Sequence, residues 1–379
     1  MYVHSHQLEH LLEPRHYTDP VFFRREMEAV FRPSWQLAGS IAEMPKEGDF
    51  RTFTLLGRPV IMRNLGGGRL QAYENVCAHR HCMLTDAERG RMPKLRCQYH
   101  GWEYDEHGNT GKIPDAKCFR PWDRENSHLR LFPTRTVGEL IFVSLNEDPP
   151  ELEDYLGDYH GLFTDSFGGE FRLCWSYTFR FKANWKIPCE NTLEMYHLPC
   201  LHTKTLRAYG KEEDYEHVLG EGWSTLHTRE YIPWVTALQN WVLRRVGREP
   251  TGNYTHHFAH PNFVYIGTDV VRIAETFHPV SVDETEQRVW AYSVRGSRRN
   301  PLALYSGWLM SKFARTVTRR IMNEDLPIFE DVQRGVSASR HTGVIGSLEE
   351  RIYTLQKYVL EPTSVPVTSR SYPLPPRRL

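Results

Sequence analysis

The sequence predicts an α+β protein built as an all-β domain followed by a mixed domain. Three observations predict it. From about Gly48 to Asn146 the chain is a series of short β-type runs, FRTFTLL, RPVIMR, LQAYENV and ELIFVSL, broken by Gly and Pro. Glu147-Asp148-Pro149-Pro150-Glu151 then forms a stiff polar stretch suited to a linker. Beyond it, β-type runs (WSYTFRFKANW, NFVYIGTDVVRIAETFHPV, RVWAYSV) are interspersed with segments of helical period. The expected division is a helical segment over residues 1–40 packing on the mixed domain, the all-β domain over 41–150, and the mixed domain over 151–379.

The first helix is expected at Asp19-Pro20, because Pro is favoured at the first helical position. It runs through VFFRREMEAVF, where Val21, Phe22, Met27, Val30 and Phe31 can share an apolar side. In the mixed domain, Glu190 through Leu198 can form about two helical turns before Pro199 stops them. Later, Leu309, Phe313, Val317 and Ile321 recur every four residues as the apolar stripe of a longer helix. Asp325 and Phe329 continue that row, and Pro327 is expected to bend the helix and open backbone groups.

Composition excludes some classes of function. Lys+Arg and Asp+Glu are both 47. A net charge of zero gives no support for nucleic-acid or membrane-surface binding. The N-terminal MYVHSHQLEHLLEPRHY lacks the apolar core of a signal peptide, and the apolar runs are strand-sized. Seven scattered cysteines, an odd number, argue against a disulfide framework. The expectation is a cytoplasmic protein.

Two motifs carry chemistry. The first is Cys77-x-His79 followed by Cys97-x-x-His100 at the tips of two loops, with residues 80–96 between the halves. Two Cys and two His also describe a structural zinc site, but zinc fingers usually pair Cys with Cys and His with His. One Cys and one His from each half suits a two-iron centre in which one iron takes both thiolates and the other both imidazoles. Trp102, Tyr104 and the turn Glu106-His107-Gly108-Asn109 read as a hairpin beneath the second loop.

The second motif is NWKIPCENTLEMYHLPCLHTKTL, Asn184 to Leu206. Glu194 and His197 are three apart and share a helix face. His202 can turn back toward His197 past Pro199. Two His and one carboxylate are the facial set of mononuclear non-haem Fe(II), with positions left open for O2 and substrate. Glu194 is too close in sequence to serve comfortably as the third ligand. Asp325 is the candidate, since an acid in a buried row needs a partner and a metal is one. Asp331 is the weaker alternative, while Glu324 and Glu330 read as solvated or supporting acids.

The pattern C-x-H-R…C-x-x-H-G-W, with Arg80, resembles the Rieske [2Fe–2S] domain of ring-hydroxylating oxygenases. Respiratory Rieske proteins add a disulfide between the loops. Here Cys82 could stand for one half, but Tyr99 occupies the other position. The family pattern E-N-x-x-[D/E]-x-Y-H-x₄-H is matched by Glu190, Asn191, Glu194, Tyr196, His197 and His202, and E-D-x-x-x-x-E by Glu324, Asp325 and Glu330. Taken together, the segments resemble the α subunit of Rieske non-haem iron oxygenases over essentially the whole chain.

The resemblance implies an N-terminal Rieske domain and a C-terminal helix-grip catalytic domain with an antiparallel sheet. Its cofactors would be a [2Fe–2S] cluster held by Cys77, His79, Cys97 and His100, and a mononuclear Fe(II) held by His197, His202 and Asp325. A homotrimer is implied, in which Glu194 bonds His197 in its own chain and His100 of a neighbour. Glu194 stands where most members carry Asp, as among relatives of quaternary-amine monooxygenases. No G-x-G-x-x-G loop follows a strand, so electrons are expected from a separate NAD(P)H-dependent reductase or ferredoxin.

The implied reaction uses O2 to hydroxylate or oxidatively demethylate a small organic substrate, of the quaternary-amine or natural-product class. An aromatic-ring hydroxylating dioxygenase is the alternative. A non-catalytic electron carrier is a third reading, which intact His197, His202 and Asp325 oppose. The aromatic-rich stretch with Tyr209, Tyr215, Trp223, Tyr231, Trp234, Trp241, Tyr254 and Phe258 is expected to roof the pocket in part. Aromatic faces could cage a cation or be ordinary core. His256, His257 and His260 read as substrate-orienting or surface residues. Cys82, Cys118, Cys174, Cys189 and Cys200 read as non-ligating thiols.

Overall fold

The computed structural model describes residues 2–120, 127–206, 214–229, 233–296 and 300–363. Two compact units emerge, Arg32–Leu156 and the combination of Met1–Phe31 with Gly157–Leu379. Among the described residues no helix is long and apolar enough to cross a membrane.

The Arg32–Leu156 unit is a β structure. Five strands lie in the order Arg89–Arg91, Asp49–Leu55, Arg58–Gly66, Arg69–Glu74 and Leu131–Phe132. Leu55 pairs with Arg58, so Leu56 and Gly57 alone make the turn, and both have positive φ, as the favoured two-residue hairpin requires. A second sheet sets Leu140–Ser144 between Trp35–Ser40 and Thr134–Val137. Trp35–Ser40 therefore belongs to this unit rather than to the N-terminal helical segment. All six of its residues are buried, and its backbone is paired to Leu140–Ser144. The expected linker at residues 147–151 also lies inside the unit, where Pro150 O accepts from Trp35 Nε1 at 2.8 Å. The unit ends instead between Leu156 and Gly157.

The other unit is organised around seven antiparallel strands. Their order is Phe171–Phe181, Glu284–Val294, Val271–Ser281, Phe263–Gly267, Asn253–Ala259, Trp223–Arg229 and Glu216–Gly220. The last six form a meander, and the first in sequence closes beside the last. The helix Pro301–Ala338 packs on this sheet, and Phe181, Ile273, Val289, Ala291, Met322 and Phe329 belong to one apolar cluster. This is the helix-grip arrangement that the sequence resemblance implied.

The buried row of that helix includes Ala303, Gly307, Met310, Ala314, Thr318, Met322, Asp325, Phe329 and Gln333. It is not the four-residue row expected from sequence. Steps of four overshoot a 3.6-residue turn by about 40° each, so such a row drifts around the helix. Phe313, Val317 and Ile321 are half-buried and line a cavity, whereas the rows converge at Asp325 and Phe329. The helix continues through Pro327 to Ala338.

At the N-terminus, Asp19 caps the helix Pro20–Glu26 by accepting from Val21 N at 2.7 Å, and Met27–Phe31 adds a π-helical turn. Val30 and Phe31 are buried as expected, but Val21 is exposed. The fully buried acid is Glu26, which meets the fully buried Lys186 at 2.6 Å. Tyr17 OH also donates to Glu190 at 2.7 Å, joining the N-terminal segment to the helix Lys186–Thr192.

Candidate active site

The two histidines are presented by a broken helix rather than a continuous one. Lys186–Thr192 ends before Leu193, the chain turns through Glu194–His197, and Leu198–Leu201 restarts as a single turn. Pro199 sits in the first turn of the second piece, where its missing N–H costs nothing, so it opens a helix where the sequence pattern expected it to stop one. The break frees Glu194 to fold back. It accepts from His197 N at 3.0 Å and pairs with His197 Nδ1.

Asp325 reaches the same point from the long helix. Its Oδ1 lies 3.1 Å from His202 Nε2 and 4.0 Å from His197 Nε2. Asn191 Nδ2 donates to the same oxygen at 3.4 Å. On the far side of His202, Nδ1 meets Glu324 Oε2 at 2.8 Å, and Thr205 Oγ1 donates to that oxygen at 2.6 Å. Each imidazole thus has a carboxylate at Nδ1, which fixes the ring and leaves Nε2 as the free donor. The ligand atoms of His197, His202 and Asp325 all lie within 4.8 Å of one another.

Two nitrogen lone pairs and a carboxylate oxygen facing one point form a donor set that favours a cation. The nitrogen–nitrogen–oxygen composition fits non-haem ferrous iron. Electrostatics agree. His202 is 1% exposed, and burial alone would lower its pKa. The bonds and charges of Asp325 and Glu324 outweigh burial and raise it. Burial likewise works against the Glu324 carboxylate, yet Thr205 and His202 hold its pKa below the usual value.

A cavity of about 310 Å³ ends at this trio, with Ile273, Phe277, Phe313, Val317 and Phe329 among its walls. It contains Tyr254, as the sequence suggested. Phe258 is instead fully buried and Trp241 partly exposed. Tyr209 and Tyr231 fall outside the described residues, as does the Trp234 side chain.

The Arg32–Leu156 unit brings the other four candidates together. Cys77 and Cys97 are buried in one apolar cluster, and the His79 and His100 rings are 4.7 Å apart. Leu95–Arg96 and Glu103–Tyr104 form the expected hairpin. Trp102 stacks on His79 with centroids 4.8 Å apart and planes 2° from parallel. Tyr104 OH accepts from Ala78 N at 3.0 Å and lies 3.1 Å from Cys77 Sγ, an arrangement that lets it donate to a thiolate.

His79 Nδ1 is shielded from solvent and has no hydrogen-bond partner. Such an orphaned nitrogen beside two buried thiols suits a metal cluster of mixed sulfur and nitrogen ligation. Burial pushes the Cys77 thiol up, and Tyr104 acts in the opposite sense. All seven cysteines are free thiols.

Residues 34–133 match the Rieske [2Fe-2S] domain, and residues 170–364 match the catalytic domain of the ring hydroxylating alpha subunit. The chain belongs to the ring hydroxylating alpha subunit family. These domains imply a Rieske cluster and a mononuclear iron. Over 198 residues this alpha subunit is 30% identical to the glycine betaine monooxygenase oxygenase subunit of Pseudomonas aeruginosa strain UCBPP-PA14, covering 52% of this chain and 46% of that one. The chain therefore spans about half the length of that curated relative. It is 26% identical to the large oxygenase component of a Pseudomonas aeruginosa naphthalene 1,2-dioxygenase system, covering 73% of this chain and 69% of the other.

Among solved structures, the fold resembles the quaternary ammonium Rieske monooxygenase CntA in complex with L-carnitine. The TM-score is 0.72 at 19% identity, over 92% of this chain and 95% of that one. Naphthalene 1,2-dioxygenase from Rhodococcus sp. bound to indole gives 0.73 at 18%, over 93% and 94%.

Several side chains depart from the sequence reading. Asp331 is exposed and pairs with Arg334, and Glu330 accepts from Lys182 N at 3.0 Å, so neither acid joins the trio. Glu324, expected to be solvated or supporting, is the partner of His202. His256 and His260 are buried rather than on the surface. His256 Nδ1 accepts from the buried Arg351 at 2.8 Å and its Nε2 meets Thr192 Oγ1 at 3.0 Å. Burial pushes His257 and His260 down to about 3, so both are neutral. Glu275 and Gln287, also in the cavity wall, had no sequence signal, because each is one of several polar residues in a β-type run and belongs to no motif.

Proposed function

We propose that this alpha subunit is the oxygenase component of a Rieske monooxygenase that hydroxylates or oxidatively demethylates a small organic substrate of the quaternary-amine class. The carrying observation is the convergence of His197, His202 and Asp325 at the end of a largely apolar cavity, in a chain that also holds a Rieske domain. Relatives of both monooxygenase and dioxygenase kinds share this family. Glu194, which stands where most members carry Asp, favours the quaternary-amine reading.

In this proposal Cys77, Cys97, His79 and His100 hold the Rieske cluster, and His197, His202 and Asp325 hold ferrous iron. When bound, these groups supply single electrons and the activation of O2. The chain's own side chains do the rest. Glu194 and Glu324 accept hydrogen bonds from the Nδ1–H groups of His197 and His202, so both rings keep one tautomer and present Nε2. Asn191 steadies the Asp325 oxygen that faces both rings. The walls formed by Ile273, Phe277 and Phe313 keep water out and hold the substrate carbon beside the trio. A hydroxylated N- or O-methyl carbon is then lost as formaldehyde.

Electrons come from a separate reductase or ferredoxin, and the working assembly is a cytoplasmic homotrimer. The lack of a G-x-G-x-x-G loop in the sequence supports the first part, and the family resemblance supports the second. The test is a screen of methylated amines, methyl ethers and arenes for stimulated O2 uptake by reconstituted protein, with formaldehyde assayed in parallel. Uptake matched by formaldehyde with a methylated amine is the expected result. Purified protein carrying only zinc, or uptake driven by arenes alone, would overturn it.

A further inference from the structure

Glu275 stands in the wall of the cavity that ends at His197, His202 and Asp325, yet holding iron does not require it. It lies on the inner strand Val271–Ser281 of the seven-stranded sheet and is 2% exposed. Its direct cross-strand neighbours, Val264 and Val289, are fully buried and apolar. Gln287, two positions along the next strand from Val289, donates its amide to Glu275 and also approaches Met322 Sδ at 3.0 Å.

Among the described residues no cationic side chain pairs with Glu275. The groups that act on its charge are the Gln287 amide and a second acid, Asp325, and no ion pair to it occurs among the described residues. Burial drives its carboxyl up to about 8, with Asp325 pushing the same way. A buried acid without a counter-charge is costly, and a leucine would pack the position better. A carboxyl group retained there in a cavity wall, largely neutral while the cavity is empty, is suited to ionise when a positive charge arrives with the ligand.

The neighbouring walls fit that occupant. Phe277, Phe313 and Tyr254 bring aromatic groups to the cavity, and Ile273 adds aliphatic surface. Alkyl groups on a charged nitrogen need apolar contact, and aromatic faces attract the charge itself. A cavity of about 310 Å³ is at the lower end of the range for small-molecule sites. We propose that Glu275 is the anionic anchor for a cationic alkylated nitrogen of the substrate, which makes it a specificity-determining residue of this site. The inference rests on the proposed function, in that it takes the same cavity as the substrate pocket.

The test is anaerobic calorimetric titration of the full-length protein, with and without iron. The probes are tetramethylammonium, choline and benzyltrimethylammonium, together with 3,3-dimethylbutan-1-ol, the neutral isostere of choline. Wild-type protein should bind choline at least tenfold more tightly than the isostere. Glu275→Gln should lose at least tenfold in affinity for each cation that binds, with no change for the isostere. Glu275→Leu should show the same loss, so a folding defect confined to one variant does not decide the outcome.

Choline bound no more tightly than its isostere, cation affinity unchanged by both substitutions, or no cation bound at all would overturn the anchor. These outcomes are separable from failure of the oxygenase reading. Protein that binds iron and consumes O2 with neutral substrates keeps its oxygenase role and loses the anchor. Protein that prefers cations but takes up no iron keeps the anchor and loses the oxygenase role.

Discussion

Replacing Glu324 by alanine removes one acceptor from two donors at once, His202 Nδ1 at 2.8 Å and Thr205 Oγ1 at 2.6 Å. His202 is 1% exposed, so water cannot readily take the place of the lost carboxylate. Its ring is then free to rotate or to move its proton to Nε2, and either change removes a donor from the trio. Loss of such an outer partner typically weakens metal binding about 10- to 100-fold, or about 1.4–2.8 kcal/mol. The Glu324 side chain is 21% exposed, so its charge is partly solvated and the purely electrostatic share is at the smaller end. Glu324→Gln keeps an acceptor and loses the charge, which predicts about a tenfold loss, against nearer 100-fold for Glu324→Ala. Competition for Fe(II) with a chromophoric chelator under argon measures both. The visible spectrum of the Rieske group provides an internal standard, since its four candidate ligands lie in the other unit. An alanine variant that holds Fe(II) within twofold of wild type, or one indistinguishable from glutamine, would refute the orienting role.

Other expectations follow from the same contacts. Lys186→Met leaves Glu26 buried without its cation and should destabilise by about 3–5 kcal/mol in urea unfolding, while Glu26→Leu with Lys186→Met should recover most of that; a double variant no better than the single one would sink the idea. Burial works against Glu350, but His217 and the amides of Val3 and His4 outweigh it and bring its carboxyl down to about 2. Because the folded value lies below the unfolded one, this stability is present above about pH 4.3 and is lost as pH falls toward 2. It amounts to about 3 kcal/mol. Acid titration of unfolding should therefore be flatter in Glu350→Gln, and identical slopes would remove the contribution. Glu194→Gln should keep both metals and slow single turnover about tenfold or more, because His197 loses the charge at Nδ1; an unchanged rate would leave Glu194 only a folding role.

Local pattern and tertiary context divided the work differently in the two units. Cys77, His79, Cys97 and His100 were legible because each half-site falls within four residues of one loop, so spacing alone brings its donors together. His197 and His202 were legible for the same reason. The break between Thr192 and Leu198 was less so, since Pro199 signals a helix start as well as a stop. Asp325 could be proposed as an acid in an apolar row, but the row itself was misjudged, because a repeat of four only approximates a period of 3.6.

The sequence by itself therefore determined the fold class, the two motifs and most donors of each candidate site, because hydrophobic period and short spacing are properties of neighbouring residues. Only the tertiary structure decided that Glu324 supports His202, that Arg351 reaches His256, and that Glu275 faces the cavity. Those choices depend on which faces of a seven-stranded sheet and a 38-residue helix meet. The packing joins groups far apart in the chain, such as His202 and Glu324, which are 122 positions apart. No local rule of spacing carries that information, since the environment of a lone acid is set by whatever element packs against it.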